Sequence, residues 1–538
     1  MANRDSGLLK ICFSAETKSL FSDFNTNHQG CEFPLDNEIT DKISNLHKAI
    51  ENADDFAIFR HPSETDELWR MLISKAIKCL RYFDEREPFR SNTLKKPQVY
   101  GLDELYSYYQ KYKEFERMLY GSNQYYRDHV VHVLRTWLSG IQCLVRNSGE
   151  YLNCISIREE QEIGLEPVEK LSIWTIIALT HDLGYPLEKA KDIIEKTQSM
   201  VETFVTNPDI SMDLSFHGVQ NHMNDFIIRL MSSKMVTASA RDKDRNVDAE
   251  KYVARLQPKY YFKFQKSLER TNHGIVSTLI IYKLLTYFLE SDYNINEDYY
   301  FVAEDRRQFY IRREILRAIA SHTCTDIYHL YMGSFAFLLI IADDMQEWGR
   351  KYITELYVPT TIKHVRSDIN LTVSNKDNNL TVLSQEQNTP HHCRLSEDVT
   401  IDESDGWKAV VALLNRLREQ ALVYITIFRD GQETIKRDFD FIREYTISYK
   451  AAETIMFKMI LKISNQSAAE FTGEITYASA TQNKEFGRKF IEELKSKAKA
   501  NIDWKVFDVY GNEIDGTKNS TASSWKTGKI VVCLTNTV

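Results

Sequence analysis

The 538-residue sequence contains no long hydrophobic run. Its longest apolar stretch, residues 335–342, is much shorter than the roughly 18–20 residues that a membrane-spanning helix requires. Residues 1–20 also lack the basic start and the apolar run of a secretory signal peptide. These absences predict a cytoplasmic protein without a membrane partner.

Paired cysteines and basic blocks are lacking as well. The cysteines show neither CxxC nor zinc-finger spacing, so we expect reduced thiols. The net charge of −8 and the lack of a Lys/Arg block argue against a nucleic-acid-binding surface. No P-loop, GxGxxG motif or internal repeat is present. The scattered cysteines are Cys12, Cys31, Cys79, Cys143, Cys154, Cys324, Cys393 and Cys533.

What the chain does contain is a set of histidines and aspartates on helix-like segments. Imidazole and carboxylate groups together favour a divalent transition metal (Mn, Fe, Zn, Ni or Co) or Mg over Ca. The set predicts a site for one or two such ions. Its predicted ligands are His132, His181, Asp182, His273, His322 and Asp343.

Helical periodicity places three of these residues, His181, His273 and Asp343, on the apolar faces of their helices. A carboxylate directed into an apolar interior is costly unless a cation or hydrogen-bond donors compensate it. A metal ion is the simplest compensation, because it also uses the nearby imidazoles. At the first segment either His132 or His129, one turn earlier, is a candidate ligand, and the small residues that follow His132 favour it.

These residues resemble the HD superfamily of metal-dependent phosphohydrolases, in which a His, a His-Asp pair and a late Asp lie on a bundle of helices. His132, His181, Asp182 and Asp343 occupy the four defining positions, and the resemblance covers roughly residues 125–350. It implies a helical bundle, a bound divalent ion and hydrolysis of a nucleotide phosphoester or phosphoanhydride. Asp182 would orient or deprotonate the attacking water.

The run from His181 to Pro186, His-Asp-Leu-Gly-Tyr-Pro, resembles the deoxynucleoside triphosphate triphosphohydrolases, which makes that activity the first expectation. The family continues with Phe-Gly-His, whose His assists catalysis, whereas this chain has Leu-Glu-Lys-Ala at 187–190. The acid/base role is therefore vacant or transferred. Its candidates are Glu188, His217 and His222.

His273 and His322 instead resemble the additional ligands of two-metal HD phosphodiesterases, including those that open cyclic dinucleotides. This resemblance makes a cyclic nucleotide or cyclic dinucleotide phosphodiesterase the alternative activity. If only one ion binds, the two histidines become catalytic residues that donate to substrate phosphate or act as general acids.

Substrate phosphate also requires basic contacts. We predict Arg135 and Lys189 for this role, because one lies near the first His and the other just after the His-Asp pair. The wider set of basic candidates comprises Arg127, Lys191, Arg312, Arg313 and Arg317.

The predicted architecture is mainly α. Residues 1–124 form an N-terminal helical extension, residues 125–354 form an HD-type bundle with a helical insertion at about 190–268, and residues 355–538 form a smaller mixed α/β module. Residues 1–36 are expected to be irregular, with helices at about 37–54, 64–86, 102–120, 188–205 and 217–234.

In the C-terminal module the sequence predicts a hairpin around residues 376–378 and a polar, irregular stretch to about 405. Helices are expected at 406–421, 431–463 and 485–498. Strands are expected at 474–479, 504–510 and 529–535.

A non-enzymatic alternative is a nucleotide sensor, in which the bundle binds a nucleotide and the C-terminal module transmits the signal. The resemblance to the triphosphohydrolases further implies a homo-oligomer that binds an allosteric nucleotide. By analogy alone, such a protein would serve nucleotide-pool control or antiviral defence against phage.

Overall fold

The computed structural model describes residues 4–535, except for 23, 25–27, 29, 54–55, 85–98, 123–126, 158, 160–162, 204–218, 239–250, 292, 297–298, 325–331, 347, 351–361, 373–390, 403–438, 452–453, 465–469, 480–501 and 509–526. The chain divides into two compact units, Met1–Asp343 and Asp344–Val538. The boundary predicted at 354/355 lies outside the described residues.

The N-terminal unit is mainly helical, as predicted. Its α-helices in chain order are α1 (Arg4–Cys12), α2 (Ala15–Leu20), α3 (Asn37–Ile50), α4 (Pro62–Tyr82), α5 (Leu102–Ser122), α6 (Val130–Cys154), α7 (Pro167–Thr180), α8 (Tyr185–Glu202), α9 (Val219–Met231), α10 (Pro258–Glu269), α11 (His273–Leu284), α12 (Thr286–Leu289), α13 (Ala303–Ser321) and α14 (Phe335–Asp344). A 3-10 helix spans Ala57–Arg60. An antiparallel pair, β1 (Ser233–Thr237) and β2 (Tyr252–Leu256), precedes α10.

Local sequence explains where several helices begin. The carboxylate of Asp36 accepts a hydrogen bond from the backbone N–H of Ile39 at the start of α3, and Pro62 and Pro167 occupy the first turns of α4 and α7. A side-chain cap and a proline are both favoured at this position, because the first backbone N–H groups have no partner within the helix. The helices predicted at 37–54, 64–86 and 102–120 are confirmed as α3, α4 and α5.

The prediction that residues 1–36 are irregular was wrong, because α1 and α2 lie there. α1 packs against α3 and α6, and its side chains Leu8, Leu9 and Cys12 are buried. Helices this short are marginal on their own and gain their stability from tertiary packing. The sequence of the segment alone therefore carries little indication of them.

α7 is the central helix of the N-terminal unit. Every residue from Val168 to Thr180 is buried, and α4, α6 and α13 pack around it. A helix that is apolar on all sides requires such an environment. α6 approaches it at Gly140, where an added Cβ would lie 2.0 Å from the ring of Trp174. α7 thereby delivers its C-terminal end to the interior of the unit.

The C-terminal unit contains a seven-stranded sheet. Its strands are β3 (Ile362–Thr372), β4 (His391–Asp402), β5 (Phe439–Ala451), β6 (Thr454–Ser464), β7 (Glu470–Ser479), β8 (Ile502–Asp508) and β9 (Thr527–Thr535). Their order is β3-β4-β5-β6-β7-β9-β8. The β4–β5 pair is parallel and the other pairs are antiparallel. In β4, Cys393, Leu395, Glu397 and Val399 are buried, which is the alternation of a strand with one covered face.

The strands predicted at 474–479, 504–510 and 529–535 are confirmed as β7, β8 and β9. The helix predicted at 431–463 was wrong: β5 and β6 occupy most of it, and their many β-branched and aromatic residues favour strands. The hairpin predicted around residues 376–378 lies outside the described residues. The prediction of an irregular stretch to about 405 was wrong, because β4 lies in that stretch and pairs with β3. The helices predicted at 406–421 and 485–498 lie outside the described residues.

Two chemical expectations concern the described part of the chain as a whole. None of its helices combines the length and the apolar character needed to cross a membrane. The seven cysteines described there are free thiols: Cys12, Cys31, Cys79, Cys143, Cys154, Cys324 and Cys393.

Candidate metal site

His132 lies in the first turn of α6, where two acidic side chains fix the backbone. The carboxylate of Asp128 accepts hydrogen bonds from the N–H groups of Val131 (3.2 Å) and His132 (3.0 Å). Glu116 accepts from the N–H groups of the two residues before them. These bonds satisfy the free donors of the helix start. They also hold the His132 ring, which is fully buried, in a defined position.

His181 and Asp182 follow α7 directly, in a turn that α11 holds in place. The hydroxyl of Ser277 on α11 donates to the carbonyl of His181 (2.6 Å) and accepts from the N–H of Gly184 (2.7 Å). A Cβ at Gly184 would lie 2.3 Å from the carbonyl oxygen of His273. The glycine therefore permits the close contact between this turn and the start of α11.

The two additional histidines meet where α11 begins and α13 ends. His273 is the first residue of α11, and His322 follows the last residue of α13. Between them, the N–H of Gly274 donates to the hydroxyl of Thr323 (3.3 Å). A Cβ at Gly274 would lie 2.7 Å from the carbonyl oxygen of Ile319, so this glycine too allows a close approach.

The structure brings all six predicted ligands together. Asp343, near the end of α14, places its Oδ1 2.7 Å from Nε2 of His132 and 3.8 Å from Nε2 of His181. Two triplets among the described residues have ligand atoms that lie within 4.8 Å of one another. They are His132–His181–Asp343 and His181–Asp182–His322.

The carboxylate of Asp182 lies between two groups of histidines. Its Oδ2 is 3.5 Å from Nε2 of His181 and 3.8 Å from Nε2 of His132. Its Oδ1 is 3.3 Å from Nε2 of His273 and 3.6 Å from Nε2 of His322. These contacts thus link His132 and His181 to one oxygen and His273 and His322 to the other, while the second triplet joins His181 to Asp182 and His322. This arrangement can serve two cations that share one carboxylate, or one cation on the side of Asp343.

The hydrogen bonds of the rings show which nitrogen is available to a cation. Nδ1 of His181 donates to the carbonyl of Ala178 (2.9 Å), and Nδ1 of His322 donates to the carbonyl of Ile319 (2.5 Å). Since a carbonyl can only accept, the neutral ring keeps its lone pair on Nε2. Both Nε2 atoms are buried, and the carboxylate oxygens of Asp182 lie 3.5 Å from that of His181 and 3.6 Å from that of His322, too far for well-formed hydrogen bonds. Buried polar atoms without a partner are rare, and a metal ion would satisfy these two.

The electrostatics of the site also favour a cation. Burial lowers the pKa of the His181 imidazole, but the carboxylates of Asp182 and Asp343 outweigh it and raise the pKa to about 9. Burial likewise opposes the charge of both carboxylates, yet the surrounding imidazoles hold their pKa values well below the usual range. At His322 burial dominates and lowers the pKa. The ionised carboxylates and the neutral His322 are in the form that binds metal, whereas His181 would release a proton when an ion binds.

Glu188, one turn into α8, contacts the site through His273. Its Oε2 accepts from Nδ1 of His273 (2.7 Å) and from the backbone N–H of the same residue (2.8 Å). Burial acts against the charge of Glu188, but His273 lowers its pKa to about 2. An ionised Glu188 can accept a proton but not donate one. Its Oε2 already serves His273, and the acid/base role stays a prediction.

The candidate ligands differ in exposure. The side chains of His132 and His181 are essentially inaccessible, whereas 18% of His273 and 30% of Asp343 are exposed. Lys189 is linked to His273 through Glu188: its Nζ is 3.1 Å from Oε1 of Glu188, and its side chain is 23% exposed.

Arg135 lies elsewhere. It is fully buried, and its guanidinium forms two hydrogen bonds with the equally buried carboxylate of Asp5. A side chain that is neutralised inside the core cannot reach a substrate, so the predicted substrate contact of Arg135 conflicts with the structure.

Three of the wider set of basic candidates donate hydrogen bonds to backbone carbonyls within the fold. Arg312 donates to the carbonyl of Tyr287, Arg313 to that of Ser233, and Arg317 to that of Met231. For Arg127, a half-buried residue, the carbonyl accepts from Nδ1 of His129 (2.6 Å).

Two of the remaining histidine candidates are among the described residues, and neither belongs to a metal-competent triplet. The His129 ring stacks on Tyr185 with a centroid separation of 3.8 Å, and it belongs to neither metal-competent triplet among the described residues. His132 therefore fits the ligand role better than His129. His222 is exposed on α9. His217 and the side chain of Lys191 lie outside the described residues.

Comparison of the chain with protein-family models, curated proteins and solved structures finds no match. The function must therefore be inferred from the geometry of the six side chains and from the chemistry of their atoms. Four imidazoles and two carboxylates suit Mn, Fe, Zn, Ni or Co better than Ca. With two buried Nε2 atoms that lack hydrogen bonds, this donor set fits a divalent metal ion.

Proposed function

We propose that this protein is a metal-dependent phosphohydrolase of the HD type that acts on a nucleotide phosphoester or phosphoanhydride. The observation that carries the proposal is the position of Asp182, whose two carboxylate oxygens each lie within 4 Å of two imidazole Nε2 atoms. Hydrogen bonding alone would not leave two of those nitrogens buried without a partner.

Each residue has a role in this proposal. His132, His181, Asp343 and Oδ2 of Asp182 would hold one ion, and His273, His322 and Oδ1 of Asp182 would hold a second. A bound divalent ion lowers the pKa of water from 15.7 towards about 7 and offsets negative charge on a phosphoryl group. Asp182, which contributes an oxygen to each set, would orient the attacking water.

A partly exposed basic residue next to the site supports a phosphorylated substrate. Lys189 places a positive charge there, next to Glu188 and less than a quarter exposed. We retain Lys189 as a phosphate contact because its side chain is partly exposed. We omit Arg135, because it is fully buried and paired with Asp5. The buried side, with His132 and His181, excludes bulk water, which strengthens electrostatic interactions at the reacting phosphorus.

Two activities fit this arrangement. Hydrolysis of a deoxynucleoside triphosphate to nucleoside and triphosphate is the first, because of the His-Asp-Leu-Gly-Tyr-Pro run that begins at His181. Hydrolysis of a cyclic nucleotide or cyclic dinucleotide is the second. His273 and His322 both lie next to Oδ1 of Asp182, where they could bind a second ion. This favours the second activity, because two-metal sites stabilise both the attacking and the leaving oxygen of a displacement.

The decisive experiment is a product analysis. Purified full-length protein is incubated with Mn, Mg or Co and a panel of nucleotides, and the products are identified by mass. Triphosphate supports the first activity, and a linearised dinucleotide or a monophosphate from a cyclic nucleotide supports the second. Tight nucleotide binding without turnover in any metal would instead favour the sensor function, and failure to bind divalent ions would overturn the proposal.

We extend the proposal to regulation by an allosteric nucleotide in a homo-oligomer, as the resemblance implies. Light scattering with and without added nucleotide tests this part separately. A monomer at every nucleotide concentration would contradict the extension and leave the hydrolytic proposal intact.

A further inference from the structure

Glu188 makes two hydrogen bonds to one residue. Its Oε2 accepts both the backbone N–H (2.8 Å) and the Nδ1–H (2.7 Å) of His273. These bonds join α8 to the first residue of α11, and the two helices pack against each other. The carboxylate thus fixes both the backbone and the ring of His273.

The hydrogen bond to Nδ1 has a consequence for the opposite side of the ring. A carboxylate accepts, so Nδ1 carries the proton and the lone pair of the neutral ring is on Nε2. That atom lies 3.3 Å from Oδ1 of Asp182. The ring is held with its metal-binding nitrogen directed to the centre of the site.

His273 differs in this respect from the other two candidate ligands with a defined Nδ1 partner. His181 and His322 donate to carbonyls of the preceding helical turn, which form with the helix itself. His273 is the first residue of its helix, so its Nδ1 acceptor comes from another element. Lys189 contacts the second oxygen of Glu188 at 3.1 Å, which helps to hold the carboxylate in place.

We propose that Glu188 is a positioning residue, which holds His273 in the tautomer and orientation that bind the cation on the Oδ1 side of Asp182. The inference rests on the proposed function, because it concerns a ligand of the same site. A carboxylate that accepts from the far nitrogen of a metal-binding imidazole orients the ring and raises its basicity, and its loss typically costs about 10–100-fold in metal affinity.

The test compares Mn and Zn affinities, measured by titration calorimetry, for the unaltered protein, Glu188→Ala, Glu188→Gln and His273→Ala. Glu202→Ala, on an exposed position of the same helix, is the matched control. We expect Glu188→Ala to weaken by about 10–100-fold the binding event that His273→Ala removes. Glu188→Gln should reduce the metal affinity much less, because the amide oxygen of Gln can accept the same two hydrogen bonds.

A double variant separates positioning from a merely structural role. On a His273→Ala background, Glu188→Ala should have no further effect on metal affinity, since the ring that it holds is gone. A further loss of similar size would overturn the assignment, as would a Glu188→Ala protein that binds metal normally. Equal loss of turnover in Glu188→Gln and Glu188→Ala, at unchanged metal affinity, would show an acid/base role instead.

The two proposals fail differently. If the unaltered protein binds neither Mn nor Zn, the proposed function falls and Glu188 has no cation site to organise. If it binds metal but no binding event depends on His273, or Glu188→Ala leaves that event unchanged, only the assignment of Glu188 falls.

Discussion

Asp5 and Arg135 form a two-point ion pair in the interior of the N-terminal unit. Nε of Arg135 lies 3.0 Å from Oδ1 of Asp5, and Nη2 lies 2.7 Å from Oδ2. Neither side chain is accessible to solvent. The pair joins α1, a segment predicted to be irregular, to α6 three residues after His132. The first helix of the chain therefore stabilises the helix that contributes the first candidate ligand.

Removal of one partner of this pair should destabilise the protein strongly. Asp5→Ala removes the carboxylate that the buried Arg135 guanidinium pairs with, and breaking a buried ion pair typically costs about 3–5 kcal/mol. The matched control is Asp103→Ala, which breaks the exposed pair with Arg70 and should cost less than about 1 kcal/mol. Urea denaturation followed by helical circular dichroism measures both. Equal midpoints for the two variants would contradict the importance of the buried pair.

Loss of a central ligand should abolish turnover and retain most of the helical structure. His181→Ala and Asp182→Ala each remove a group near several other ligand atoms, so we expect a loss beyond the roughly 10–100-fold that follows removal of an outer partner. Met223→Ala, at an exposed position of α9, serves as the control. Rates are measured on whichever nucleotide the product analysis identifies. Full activity of both site variants would refute the proposed site.

An added methyl group at Gly184 should displace α11 from the His-Asp turn. Its Cβ would lie 2.3 Å from the His273 carbonyl oxygen and 2.8 Å from the backbone nitrogen of Ser277, and such overpacking typically costs about 1–3 kcal/mol. We expect Gly184→Ala to lower the melting temperature and weaken metal binding together. At Gly164 a Cβ would contact nothing within 4 Å, so Gly164→Ala should be close to neutral. Thermal melts of the two variants provide the comparison.

Stability should fall in acid through a cluster around Lys75. Its Nζ contacts the carboxylates of Glu32, Asp36 and Glu38 at 2.7–2.9 Å. Burial opposes the charge of Glu32, but Lys75 and Lys78 lower its pKa, and Lys75 lowers the pKa of Glu38. A carboxylate whose pKa is lowered by folding stabilises the protein above its ordinary pKa and loses that contribution as the pH falls through the folded value.

Glu32→Gln should therefore reduce stability near neutral pH, and its difference from the unaltered protein should shrink as the pH falls below about 4.5. Glu202→Gln, an exposed substitution on α8, should show no such pH dependence. Urea midpoints measured from pH 7 to pH 3 give the comparison. A constant difference across that range would show that Glu32 acts through something other than its charge.

Sequence reasoning predicted the long helices and the set of candidate ligands, for different reasons. α3, α4 and α5 carry periodic apolar residues, and α3 and α4 also begin at a capping side chain or a proline, so local information suffices. Of the six candidate ligands, helical periodicity placed His181, His273 and Asp343 on inward faces, and the other three were candidates because of their residue type and the family resemblance. That they converge on Asp182 is a property of how the helices pack, which no single segment encodes.

The predictions that were wrong or incomplete have physical causes, which α1, β4 and Glu188 illustrate. α1 is too short to be stable alone, and its burial against α3 and α6 compensates for its weak sequence pattern. β4 contains two histidines, three acidic residues and an arginine, which reads as a polar loop until its neighbours β3 and β5 are known. Glu188 was a candidate for the acid/base role, but its hydrogen bond to His273 could not be predicted, because the two residues are 85 positions apart.

The shared carboxylate of Asp182 has a thermodynamic consequence. If ions occupy both sides, each changes the charge that the other experiences through a single side chain, so the two affinities are linked. Linkage is reciprocal: whatever factor the first ion imposes on the second, the second imposes on the first. Substitutions at His132 and at His322, on opposite oxygens, should then be non-additive in metal titrations, although the two residues are 190 positions apart in the chain.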